Sequence, residues 1–135
     1  MKVIPTYLHG AFDYICGFGL ILGPHALGFA EAQGPERLIP QLVGLFILVQ
    51  SLMTRYECGV LRVLSMSTHR LNEALAALFL ALSPWVFDFR YPAEMWIAYC
   101  VVGVAIVLSC LLTRDQPRQV FFGQRDIEVA LVRVE

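Results

Sequence analysis

Residues 69–89 read HRLNEALAALFLALSPWVFDF, and residues 9–29 read HGAFDYICGFGLILGPHALGF. Laid over one another at a spacing of 60 with no gap, they put His9 on His69, Asp13 on Glu73, Leu20 on Leu80, Leu22 on Leu82, Pro24 on Pro84 and Phe29 on Phe89. A one-residue deletion in the following loop then puts Val43-Gly44 on Val102-Gly103 and Thr54-Arg55 on Thr113-Arg114. The chain reads as a duplicated helical hairpin, with residues 1–57 as the first copy, 58–116 as the second and 117–135 as a C-terminal tail.

Composition says what surrounds the hairpins. Of 135 residues, 58% are hydrophobic and 16% charged, and the mean hydropathy is +0.65, too apolar for a water-soluble globule. A helix crossing the hydrocarbon needs about 17 to 25 mostly apolar residues. Four runs qualify, Thr6 to Leu22, Leu38 to Thr54, His69 to Phe87 and Met95 to Thr113. Pro40 and Pro92 sit near two of the starts, Pro5 before another, and Ser67 and Thr68 are natural caps for the third. The expectation is an all-α membrane protein of four transmembrane helices. Two crossings per copy make the hairpins parallel repeats, with a pseudo-twofold axis along the membrane normal. The first and third spans are then symmetry mates, and Gly17 and Ala77 are expected to let them approach closely. Gly19 with Gly23, and Ala77 with Ala81, add small-residue spacing.

Lys2, Arg55, Arg62, Arg70, Arg114, Arg118, Arg125 and Arg133 fall at one side of this topology, and only Arg37 and Arg90 at the other. Cationic residues collect in cytoplasmic segments, so a multi-pass protein of the cytoplasmic (inner) membrane with both termini inside is expected. The first span resembles a signal peptide, with Lys2 ahead of it and Ala30-Glu31-Ala32 behind. Its His9 and Asp13, and its counterpart deeper in the chain, argue for a retained helix.

Ser83-Pro84-Trp85 closes the third span. Proline is expected to end the regular helix where the chain leaves the hydrocarbon, Ser83 to bond to backbone groups that the ring disturbs, and Trp85 to sit at headgroup level. The first copy keeps the proline as Gly23-Pro24-His25. A two-helix repeat with this tripeptide at the end of its first helix resembles the SPW repeat family of small prokaryotic integral membrane proteins. The resemblance covers roughly residues 7 to 113 and departs at Gly23 and His25. It implies an integral membrane protein and brings no catalytic residues.

The candidate chemistry lies in the repeated pair. His9 and Asp13 share one helix face, as do His69 and Glu73, so packing of spans one and three brings two imidazoles and two carboxylates together at the cytoplasmic end. Ionisable groups inside a membrane are costly and mark sites by default. Three readings stand. In the first, the acids pair across the axis with His9, His69 or Arg70 and only pin the spans together. In the second, His9 and His69 ligate a haem iron, or His9, Asp13, His69 and Glu73 bind a divalent metal. In the third, Asp13 and Glu73 belong to a proton or solute path.

Other residues offer less. Cys16, Cys58, Cys100 and Cys110 form no C-x-x-C pair and read as small packing residues. His25 lacks companions, Gln41 and Gln50 fall on opposed faces, and the methionines are scattered. Phe79, Phe87 and Phe89 read as lipid-facing or packing residues. A net charge of −1 and the lack of a basic stretch exclude nucleic acid as a partner, and no common enzyme motif is present. The loop Arg55 to Met66 is either interfacial or an ordinary connection. The tail carries Val120-Phe121-Phe122 and an apolar run from Ile127 to Val132, which suits a strand pair, packing under the bundle or docking on a partner. The sequence thus favours a non-enzymatic accessory or structural component, without a cofactor, that acts in the lipid bilayer by helix association as a homo-oligomer or beside a partner membrane protein. The alternatives are a haem or metal redox protein and a small translocator.

Overall fold

The computed structural model describes residues 2–28, 30–89 and 93–115. Among these the chain is all-helical, in four helices: α1 (Thr6–Ala26), α2 (Pro35–Met53), α3 (Met66–Val86) and α4 (Ala93–Leu112). The expectations placed on Phe29, Arg90, Pro92 and the tail 117–135 lie outside the described residues.

Helix α1 packs along α2, and α3 along α4, to give two antiparallel hairpins. Small residues set the spacing within each hairpin. A Cβ on Gly44 would stand 2.6 Å from the carbonyl oxygen of Gly17, and one on Gly103 2.7 Å from that of Ala77. Gly17 and Ala77 therefore seat the second helix of their own hairpin, where the sequence pointed to contact between α1 and α3. Gly19 and Gly23 have no atom within 4 Å of an added Cβ, so their spacing joins nothing among the described residues.

The hairpins latch together through matching backbone pairs. Ile4, just before α1, bridges to Thr113 after α4, and Leu64, just before α3, bridges to Thr54 after α2. Arg114 N–H donates to Ile4 O at 3.0 Å, as Arg55 N–H donates to Leu64 O at 2.8 Å. The starts of α1 and α3 and the ends of α2 and α4 therefore lie at one end of the bundle. In the loop between α2 and α3, a Cβ on Gly59 would fall 1.8 Å from Thr54 O, so the tight return there demands glycine.

Helix boundaries differ from the expected spans for local reasons. Ser65 caps α3, its Oγ accepting from Thr68 N–H at 3.1 Å, and not Ser67 or Thr68. Prolines 24, 40 and 84 all lie inside helices, where they were expected to mark starts and stops. A proline N–H is missing from the ladder, so the carbonyl four residues earlier loses its partner. At two of the three a hydroxyl replaces it. Ser83 Oγ donates to Leu80 O at 2.7 Å beneath Pro84, and Tyr99 Oη donates to Glu36 O beneath Pro40. Helix α3 thus runs on to Val86, and Trp85 stacks edge-on against Trp96 of α4 at 5.5 Å. Phe89 packs on Tyr99 within the core, while Phe79 and Phe87 are half exposed.

Polarity is distributed inside out. His9, Asp13, Ser51, Thr54, His69, Glu73, Ser83 and Thr113 are fully buried, whereas Ile15, Phe18, Leu22, Leu42, Leu75, Val101, Leu108 and Leu111 are exposed. Helix α2 is long and apolar enough to cross a membrane, and Trp96–Leu112 of α4 is a shorter apolar stretch.

Candidate functional site

The site forms where α1 and α3 begin. Position i to i+4 places His9 with Asp13 and His69 with Glu73, and all four residues are fully buried. They converge on one point. His9 Nε2 lies 3.1 Å from Glu73 Oε2 and 3.6 Å from Asp13 Oδ1, and His69 Nε2 lies 3.2 Å from Asp13 Oδ2 and 3.6 Å from Glu73 Oε2. Each imidazole therefore stands closer to the acid of the other hairpin than to its own. The two rings meet edge to face, with centroids 5.5 Å apart.

The outer nitrogens are held by the ends of α2 and α4. Thr54 Oγ1 donates to Gln50 O at 2.6 Å, which commits its proton, so at 2.8 Å from His69 Nδ1 it accepts. Thr113 Oγ1 likewise donates to Ser109 O at 2.7 Å and accepts from His9 Nδ1 at 3.1 Å, with Ser109 Oγ also 2.8 Å away. This hydrogen-bond network assigns a proton to Nδ1 of both rings. Both Nε2 atoms face the carboxylates.

The acids are supported in parallel fashion. Ser51 Oγ donates to Asp13 Oδ2 at 3.1 Å, and Cys110 Sγ donates to Glu73 Oε2 at 3.1 Å. Cys110, expected as a packing residue, is thus a hydrogen-bond donor in the site. All four cysteines are free thiols. His9 Nε2, His69 Nε2, Asp13 Oδ1 and Glu73 Oε1 make no aligned hydrogen bond among the described residues. Two imidazole nitrogens and two carboxylate oxygens, one from each residue, lie within 4.8 Å of one another.

Arg70 does not join this cluster. Its guanidinium donates to Thr113 O and pairs with Asp115, which also pairs with Lys2. The hydrogen bond from Lys2, helped by the Arg70 charge, holds the Asp115 carboxyl below its ordinary value. A porphyrin does not fit between His9 and His69, because their rings touch edge to face and the two carboxylates fill the space around both Nε2 atoms. His25 is exposed in the last turn of α1, at the far end of the helix from His9. Gln41 Nε2 donates to Ile21 O, and Gln50 is buried on the same helix without sharing a site with it.

The geometry repeats with the spacing of the duplication: His9 answers to His69, Asp13 to Glu73, Ser51 to Cys110 and Thr54 to Thr113. The family model described as the SPW repeat domain matches residues 7–113. The chain belongs to the SPW repeat family. No curated protein and no solved structure matches it. The SPW tripeptide lies at the end of α3 away from the cluster, so the family's signature and the buried histidines occupy opposite ends of the repeat.

Sequence reasoning identified the four central residues and missed the supports. Thr54 and Thr113 were visible as an aligned pair, and their place three residues after Ser51 and Cys110 is the signal that marks them: at that spacing both side chains share a helix face with the site.

Proposed function

We propose that this SPW repeat protein is a four-span, non-enzymatic component of the cytoplasmic membrane that acts by association, with the two hairpins clasped by the His9–Asp13–His69–Glu73 cluster. The observation that carries the reading is the inverted distribution of polarity. Large apolar side chains point outward from every helix, while the ionisable groups face inward onto one another. In water such a surface would aggregate, whereas in hydrocarbon it is the stable arrangement. The family match supports a membrane setting as well.

The charge pattern supports a direction. Lys2, Arg55, Arg62, Arg70 and Arg114 gather at the cluster end and Arg37 at the other, a distribution that favours a cytoplasmic cluster. Trp85 and Trp96 then form an interfacial aromatic pair on the opposite side. Val60, Leu61 and Val63, exposed in the loop after α2, suit the headgroup layer on the cytoplasmic side.

A groove of about 500 Å³ between α1 and α4 reaches His9 and Ser109. Its other lining residues, Ile4, Leu8, Phe12, Ala105, Leu108 and Leu112, are apolar, which suits an acyl chain better than a solvated proton or ion. Association is therefore favoured over translocation.

Membrane fractionation tests this reading. The protein should stay with membranes through an alkaline carbonate wash, and removal of residues 117–135 should change oligomer size or release a co-purifying partner. Release of the intact protein into the soluble fraction would contradict the membrane assignment. Unchanged assembly after truncation would remove the tail from the association.

A further inference from the structure

We propose that His9, Asp13, His69 and Glu73 form a binding site for a single divalent transition-metal ion of the zinc and cobalt class, shared between the two hairpins. The inference goes beyond membrane association and borrows from it only the clasp geometry.

The donor set comes first. Two imidazole nitrogens and two carboxylate oxygens suit a borderline ion, while magnesium and calcium call for more oxygen ligands. Spacing comes second. Ligand bonds of about 2.0–2.2 Å in a tetrahedron place neighbouring donors roughly 3.3–3.6 Å apart. Glu73 Oε2 stands 3.1 and 3.6 Å from the two Nε2 atoms, and Asp13 meets each with a different oxygen, Oδ2 at 3.2 Å from His69 and Oδ1 at 3.6 Å from His9.

A third observation points to a ligand independently of the cluster itself. Both Nε2 atoms, Asp13 Oδ1 and Glu73 Oε1 are buried without an aligned hydrogen bond, and the Nε2 atoms and Asp13 Oδ1 face one another across the cluster. Because Thr54 and Thr113 draw the ring protons to Nδ1, a neutral ring turns its Nε2 lone pair toward the carboxylates. Lone pairs facing anions repel. A cation between them makes these contacts attractive: a proton on Nε2 does so in the metal-free clasp, and a divalent ion taking its place balances both carboxylates.

The surroundings are those of a holding site. Each histidine is oriented through its outer nitrogen, as ligating histidines are, and Ser51 and Cys110 steady the acids. All four ligands are sealed from solvent, and the protein supplies four donors, so no coordination position is left open for a substrate. The ion would therefore fasten the hairpins together and perform no chemistry.

Full-length protein in detergent, freed of metal with a chelator, should be titrated with Co²⁺ while visible absorption and the unfolding midpoint are followed. The expected result is saturable four-coordinate cobalt bands at one ion per chain, loss of those bands on adding Zn²⁺, and a raised midpoint. His9→Gln should abolish the bands. Thr54→Val, which leaves every ligand in place, should weaken binding roughly 10–100-fold. Absence of saturable binding by the folded wild type, an unchanged midpoint at high Co²⁺, or equal affinity in Thr54→Val would overturn the proposal. If His9→Gln does not fold, the wild-type titration and Thr54→Val decide between these outcomes. A folded wild type that binds no Co²⁺ but still resists the carbonate wash would sink the metal site and leave the membrane reading standing.

Discussion

The first hairpin and the second share a backbone plan but settle the same position in opposite ways. At the cluster end, the first places Gly10 where the second places Arg70. Across from Gly10 lies the fully buried Tyr56, whose ring would stand 2.2 Å from an added Cβ. Across from Arg70 lies the exposed Asp115, which stands where Tyr56 stands in the first copy. One copy fills the space with an aromatic ring against a bare backbone, and the other fills it with an ion pair. A duplicated fold thus tolerates exchange of whole contacts while the histidines, an acid four residues on and the threonines that support the rings stay fixed. The invariant part is the part both copies must build together.

That contrast ranks the substitutions. Removing one member of the shared cluster, as in His9→Ala or Glu73→Ala, strands the remaining buried charges and should destabilise the fold by about 3–5 kcal/mol, measured by unfolding in detergent. Equal stability for either variant would break the claim that the clasp is shared. Gly44→Ala and Gly103→Ala act within single hairpins, where the new methyl meets a carbonyl oxygen, and each should cost about 1–3 kcal/mol. Similar losses for the two would sharpen the equivalence of the copies. Ser83→Ala should cost about 1 kcal/mol, because it leaves Leu80 O without the donor that Pro84 cannot supply. Its counterpart, Gly23, has no hydroxyl to lose.

The smallest effect is expected at Asp115→Asn. The carboxyl of Asp115 is held below its ordinary value of 3.8, so its contribution is present above that value and fades as the pH falls through the lower, folded one. The difference between wild type and variant in unfolding midpoint should be slight at neutral pH, and should disappear in high salt, since the pair is solvated.

Much of this was legible in the sequence, and the remainder was hidden for definite reasons. The 60-residue spacing exposed the duplication, and the i to i+4 placement of histidine and acid exposed the centre of the site. The ends of α2 and α4 were harder to read, because serine, threonine and cysteine near a span end look like ordinary packing or cap residues. Their hydrogen bonds to His9, His69, Asp13 and Glu73 cross between helices and so leave no short-range spacing in the sequence. Pro24, Pro40 and Pro84 looked like boundaries because a proline removes one helix bond. Ser83 and Tyr99 restore partners at two of these places, and Tyr99 comes from a distant segment. Gly17 and Ala77 looked fit to join α1 to α3. They serve Gly44 and Gly103 because backbone contact is made inside each hairpin and side chains span the gap between hairpins.

The central claim is that the two hairpins are coupled through histidine–acid contacts that cross between them. A double-mutant cycle on His9 and Glu73, compared with one on His9 and Asp13, measures this directly in the full-length protein. A coupling of about 0.5–3 kcal/mol is predicted for the crossing pair, larger than for the pair on α1, in keeping with distances of 3.1 and 3.6 Å. Additive effects of His9 and Glu73, with coupling confined to His9 and Asp13, would mean that each hairpin satisfies its own charges and that no clasp exists.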